Sequence, residues 1–185
     1  MKRTFIAIKI ALNKENMSFF SDLKLKFKDS SINWVNAENM HLTLFFLGDT
    51  SDNQISAISK ELALLLAELK SFTITLKGLG VFKNILDPKV MWMGIEHSEI
   101  LDDMKVLVNK AMINSGFEVD NKVFKPHLTL GRIKNLTNKS ALIEWIEKYR
   151  DHFFQDVLVN EIIFYESILS PKGPVYKVMK TFKLS

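Results

Sequence analysis

Hydrophobic and polar positions along the chain change period several times, and each change marks an element. RTFIAIKIA (3–11) alternates in part and is rich in Ile and Phe, which predicts a strand. Over 15–28 the apolar residues Met17, Phe20, Leu23 and Phe27 recur at helical spacing. SSINWVNAENM reads as a link into a strand at 41–47, which Gly48 stops. A cap at Thr50, Ser51 or Asp52 opens an amphipathic helix that runs to Leu69. FTITLKGL (72–79) and VMWMGI (90–95) read as strands, the second following the Asp87-Pro88 turn. A third helix starts at Ser98 with Glu99 behind it and ends at Gly116, where a helix C-terminus favours glycine. A strand at 127–133 precedes a fourth helix over 138–153, with Leu142, Trp145, Ile146 and Tyr149 as its apolar face. Strands at 157–168 and 175–183 flank the turn SPKGP.

The order is β α β α β β α β α β β, and within it one tetrapeptide occurs twice. HLTL stands at 41–44 and again at 127–130, each time in a strand that precedes a helix. There is no linker and no low-complexity segment, so residues 1–185 are expected to form one α+β domain made of two related lobes.

Side chains on a strand alternate faces. The leucines of each motif therefore point to a core, while His41 with Thr43, and His127 with Thr129, share the other face at a spacing of about 7 Å. Histidine is scarce, four in 185 residues, so two in identical tetrapeptides call for a chemical reason. Neither motif carries a carboxylate or thiol, which argues against a metal set, and neither has an acid to orient a serine-type triad. Two imidazoles with pKa near 6.5 suit concerted acid–base chemistry at phosphorus, one accepting a proton from water and one protonating the leaving oxygen. The threonine hydroxyls and Arg132 would hold the non-bridging oxygens. Alternation assigns Phe45 to the His41 face, where it could stack on a base, and Phe46 to the core. Arg3, Trp34 and Tyr176 each have a cleft reading and a packing or solvent reading. His97 and His152 read as surface residues.

Composition alters this picture little. Hydrophobic residues make up 47% and charged residues 25%, an ordinary globular balance. The net charge of +4 suits an anionic partner. Only three of the 25 basic residues are arginine, and one directly succeeds the second motif's glycine, where a planar fork suits phosphate. There is no cysteine, hence no disulfide framework. The apolar opening is broken by Lys9 and lacks a small-residue cleavage site, so it reads as a strand. No run approaches the roughly 20 apolar residues of a membrane span. A cytoplasmic protein is expected.

Four segments carry a resemblance to a known family. RTFIAI (3–8), WVNAENMHLTLFFLGDT (34–50), FKPHLTLGRIK (124–134) and ESILSPKGPVYKVMKTFKL (166–184) resemble, in order, the opening strand, the two HxT signatures and the closing segment of the 2H phosphoesterases. The branch they resemble is the RNA 2′,3′-cyclic phosphodiesterases, also called the 2′-5′ RNA ligase family. Asn33, where the family often has a basic residue, and Gly131, where alanine is common, are departures. The resemblance implies a bilobal fold of mainly antiparallel sheet with outer helices and a central cleft. It implies a phosphoric diester hydrolase that opens 2′,3′-cyclic phosphate ends of RNA, tRNA fragments among them, to 2′-phosphomonoesters with no metal or other cofactor. It also implies His41 as proton donor, His127 as proton acceptor, and a reversible 2′-5′ ligase activity. A monomer is expected. Two competing readings are a 2H enzyme for 2′-5′ oligoadenylate or a small cyclic nucleotide, and an RNA-end binding module with incidental catalysis.

Overall fold

A computed structural model of the chain describes every residue except Asn121 and Lys172, so the centre of the expected SPKGP turn lies outside the described residues. The elements are β1 (Lys2–Lys9), α1 (Lys14–Lys26), β2 (Ser31–Trp34), a 3-10 turn (Ala37–Asn39), β3 (His41–Thr50), α2 (Asp52–Leu65), β4 (Phe72–Phe82), β5 (Val90–Ile95), α3 (Glu99–Asn114), β6 (His127–Asn135), α4 (Lys139–Lys148), β7 (Phe153–Val159), β8 (Glu161–Ser170) and β9 (Gly173–Lys183). All four of these helices begin at side-chain caps: Asn13, Ser51, Ser98 and Asn138. At α2, Ser51 and Gln54 form a reciprocal capping box.

The expected α+β architecture is present, with three corrections to the elements. The stretch read as a link contains β2, which pairs with β6. Its pattern is short and only half-buried, so nothing in the sequence separates it from loop. The fourth helix ends at Lys148 with Tyr149 as cap, and Phe153 already belongs to β7. The strand expected at 157–168 is two strands, β7 and β8, separated by Asn160 alone. Its apolar run is nearly continuous, and one polar residue is too weak a signal to divide it.

Eight strands lie in the order β7-β4-β5-β6-β3-β1-β8-β9, each neighbouring pair antiparallel. The order is a palindrome of roles. β6 and β3 each carry HLTL, β5 and β1 flank them, and β4 and β8 lie beyond. One lobe, β4 to β7, is continuous in sequence; the other joins β1 and β3 to β8 and β9. Where the two halves of the sheet adjoin, β3 and β6 share a single paired rung, Leu42 opposite Leu128, between the two motifs.

The joint at Asn160 also dictates the shape. β7 and β8 are six strand spacings apart in the sheet, about 29 Å if it were flat. The link Val159–Asn160–Glu161 spans about 7 Å at most. The sheet must therefore curl, bringing its halves to face one another. The main core fills the helix-covered side, with Ile6, Ile8, Leu42, Leu76, Met91, Met93 and Leu128 fully buried. A smaller cluster of Phe5, Ala7, Ile163 and Tyr165 lies on the opposite face, with Tyr176 against it.

Candidate active site

β3 and β6 start at their histidines, and both imidazoles are held in the same way. His41 Nδ1 lies 2.7 Å from the carbonyl of Asn39, and His127 Nδ1 lies 2.7 Å from the carbonyl of Lys125, two residues upstream in each case. A carbonyl only accepts, so each Nδ1 carries the hydrogen and each Nε2 is left for chemistry. Leu42 and Leu128, one residue on, are buried at 1% and 0% and anchor the motifs to the core.

The strands then depart from simple alternation at equivalent places. On β3 the pairing with β1 steps from Ala7–Thr43 to Ile6–Phe45, leaving Leu44 without a partner. On β6 the pairing with β5 steps from Trp92–Thr129 to Met91–Gly131, leaving Leu130 without a partner. Each motif thus ends in a β-bulge at its second leucine, and a bulge re-aims the side chains beyond it. Arg132 pairs with Val90 on the face of Trp92 and Thr129, so it joins the histidine face. Alternation alone would have put Gly131 there.

The same bulge corrects the aromatic assignment. Phe45 pairs with core-facing Ile6 and packs against the main core, with the Lys105 ammonium 5.2 Å from its ring centre. Phe46, expected in the core, is 64% exposed and pairs with Phe5 on the histidine face. The position equivalent to Arg132 in the first motif is therefore Phe46.

The same frame places the other residues singled out by their sequence. Thr43 and Thr129 are half-buried on the histidine face. Alternation along β1 puts Arg3 on the face of Phe5 and Ala7. Trp34 is a packing residue, edge-on to Phe20 at 5.7 Å and paired with Gly131. A Cβ at Gly131 would come within 2.8 Å of Ile32 and 3.0 Å of Trp34, so glycine there admits β2. Asn33 pairs with Arg132. His152 packs edge-on to Tyr149 and Phe154, and His97 faces Asp102, both away from the motifs.

Three cleft aromatics carry no distinguishing mark in the sequence. Phe5 lies 5.0 Å from the His41 ring, and Phe82 lies edge-on at 4.6 Å from His127. Trp92, beside Thr129, rests on Gly80, where a Cβ would be 2.3 Å from its ring. Tyr176, left open from the sequence, stands edge-on to both His41 (5.2 Å) and Phe5 (4.8 Å). The composition of each strand hints at aromatics, but only the bulges and the curl bring them to the histidines.

Electrostatics tie the motifs together. Burial lowers the pKa of His41 first of all; the Asn39 carbonyl opposes this, and the charges of His127 and Arg132 lower it further. Burial also lowers His127, opposed by the Lys125 carbonyl and aided by Arg132. Burial raises the Tyr176 phenol, while Arg132 and Arg3 pull it down. The two histidines, Arg132 and Tyr176 thus feel one another across a common cleft, where a bound anion would relieve the excess of positive charge. Among the described residues no three His, Cys, Asp or Glu side chains converge as a metal set, and no helix is long and apolar enough to cross a membrane.

The family model for LigT like phosphoesterases matches the chain twice, over residues 10–92 and 95–176. The chain is 37% identical over 181 residues to an RNA 2′,3′-cyclic phosphodiesterase of Thermotoga maritima, covering 96% of this chain and 92% of that one. It is 35% identical over 179 residues to the protein of the same name from Methanocaldococcus jannaschii, covering 96% and 98%. Among solved structures, TT0787 of Thermus thermophilus superposes with a TM-score of 0.76 at 25% identity, covering 98% and 97%. E. coli LigT complexed with 3′-AMP superposes with a TM-score of 0.78 at 24% identity, covering 100% and 98%, which is a likeness of fold.

Proposed function

The chain belongs to the LigT like phosphoesterases of the 2H superfamily, and from that premise we propose that it hydrolyses 2′,3′-cyclic phosphate ends of RNA to 2′-phosphomonoesters. The observation that carries the reading is the pair of identically tethered imidazoles, each with Nε2 free, on one face with two threonines and Arg132.

His127 accepts a proton from water as its oxygen attacks phosphorus. The bond from phosphorus to the 3′ oxygen breaks on the far side, and His41 gives that oxygen its proton. The 2′ ester bond is kept. Thr43, Thr129 and Arg132 hold the non-bridging oxygens as negative charge gathers on them. The polarity of the histidines is taken from the family resemblance, since their tethers are equivalent. Phe46, rather than Phe45, offers an exposed ring for a base. No step calls for a metal ion. With a 5′-hydroxyl in place of water, the same site would join RNA ends through a 2′-5′ linkage.

The test uses short RNAs ending in a 2′,3′-cyclic phosphate. His41→Ala and His127→Ala should each lower kcat by roughly 10²–10⁴. Near-normal turnover by either variant overturns the paired mechanism. Tight RNA binding without turnover by the unaltered chain would favour a binding module instead.

A further inference from the structure

The two histidines are tethered alike, but the tethers themselves are held differently. The Asn39 carbonyl that fixes His41 belongs to the 3-10 turn. That turn is closed by Asn39 N to the Asn36 carbonyl at 2.9 Å and by Met40 N to the Ala37 carbonyl at 3.2 Å. The Asn39 side chain donates to the Pro174 carbonyl at 2.9 Å, and Ile10 N donates to the Met40 carbonyl at 3.0 Å. The Lys125 carbonyl that fixes His127 sits in no such turn. Among the described residues of 115–126 there is neither helix nor strand. Next to this tether, Ile95 N donates to the Pro126 carbonyl at 3.2 Å. Side chains must supply the rest of its support.

Phe124, the residue before Lys125, is half-buried and packs against the main core. The matching place before the first motif holds Glu38. Over Phe124 stands Lys105 of α3, its ammonium 5.6 Å from that ring centre and 5.2 Å from the ring centre of Phe45. Asn109, one helical turn on, accepts a hydrogen bond from it at 2.5 Å. Among the described residues no carboxylate lies within ion-pair distance of this ammonium. A lysine on an outer helix normally turns its head to water. This one is half-buried, and burial pushes its pKa down to about 8. Two aromatic faces replace part of its hydration, and such faces attract a cation more strongly where water is excluded. Phe45 lies two residues beyond Thr43, and Phe124 lies three before His127. One ammonium thus joins the strand of the first motif to the lead-in of the second.

We propose that Lys105 is a positioning residue for the second histidine: its ammonium pins the Phe124 ring beside Phe45 and so keeps the Lys125 carbonyl on His127 Nδ1. The assignment rests on the proposed reaction only in making His127 a working group. The state of the tether is read without turnover.

The experiment follows the His127 ring by NMR titration, with the His41 ring as internal reference, beside kcat and KM for a short RNA with a 2′,3′-cyclic phosphate end. Lys105→Met keeps the apolar stem and removes the charge. Lys105→Arg keeps a cation that stacks on aromatic rings. The Lys125 carbonyl raises the His127 pKa. Loosening that tether in Lys105→Met should therefore lower it, and move His41 less. Loss of a nearby positive charge alone would do the opposite and raise it. In Lys105→Met kcat should fall roughly tenfold, as a misplaced group costs, with KM little changed. Lys105→Arg should restore both kcat and the His127 titration. A His127 pKa unmoved or raised in Lys105→Met, an unchanged kcat, or an arginine variant no better than the methionine one would overturn the assignment. If the unaltered protein opens no cyclic phosphate, the proposed reaction fails, and the His127 titration alone decides the role of Lys105.

Discussion

Single residues divide here into those whose role depends on chemistry and those whose role depends on register. His41 and His127 belong to the first kind, and their repetition makes them legible in sequence. Both have pKa values lowered from 6.5, chiefly by burial. The proposed acid–base pair needs one protonated and one neutral ring, so in the free enzyme that form is most populated below about pH 6.5. kcat/KM should therefore fall as pH rises from 6.5 to 8. Bound phosphate favours the protonated rings, so the same limb in kcat should lie at higher pH. A kcat/KM that climbs over that range would contradict the assignment. The sign for stability is the reverse. The unfolded chain binds these protons more readily, so the contribution is whole above pH 6.5 and is lost as pH falls through the lowered values. Denaturant midpoints between pH 7.5 and 5 measure it. Phe45, Phe46 and Arg132 belong to the second kind. Alternation misplaces the phenylalanines because it assumes one residue per rung, and a bulge leaves no mark in HLTL itself. Phe46→Ala should raise KM roughly tenfold, the loss of a base–aromatic stack. Phe45→Ala should instead lower stability, read as a shift in melting temperature with KM little changed.

At the scale of elements, most helices and strands could be read from period and caps, because Ser51, Ser98 and Asn138 stand where helices begin. The strands that could not be read are those defined by partners. β2 exists because β6 offers Gly131 and a free edge, and β7 parts from β8 because they pair with β4 and β1 at opposite ends of the sheet. Close approach also decides Gly80. Its missing side chain lets Trp92 lie across β4 behind Thr129, with a would-be Cβ 2.3 Å from the ring. Gly80→Ala should cost about 1–3 kcal/mol in denaturant unfolding and displace Trp92, visible as altered tryptophan fluorescence. An unchanged midpoint would mean that the strands yield freely there.

Across the whole molecule, the duplication is plain in sequence but its weaving is not. α1 comes after β1 of one lobe yet packs on β7 and α4 of the other, where Phe19 meets Trp145, Tyr149 and Phe154. α3 comes after β5 of the second lobe yet packs on β3 and α2 of the first. Gln155 fastens one crossing. It is 8% exposed, accepts from Asn13 N and Asn16 Nδ2, and donates to the Ala11 carbonyl. With helices exchanged, the lobes should unfold in one transition. Gln155→Ala should lower that transition by about 1–3 kcal/mol without splitting it, as calorimetry would record. The curl that closes the cleft rests on the same long-range connections, and in the proposed reaction it is this curl that lets two copies of one strand serve as acid and base. The most direct test of that claim is the product formed from a short RNA with a 2′,3′-cyclic phosphate end, incubated with the purified protein in excess chelator. The account predicts complete conversion to a 2′-phosphate end. A 3′-phosphate end, or cleavage that stops when metal is removed, would contradict it.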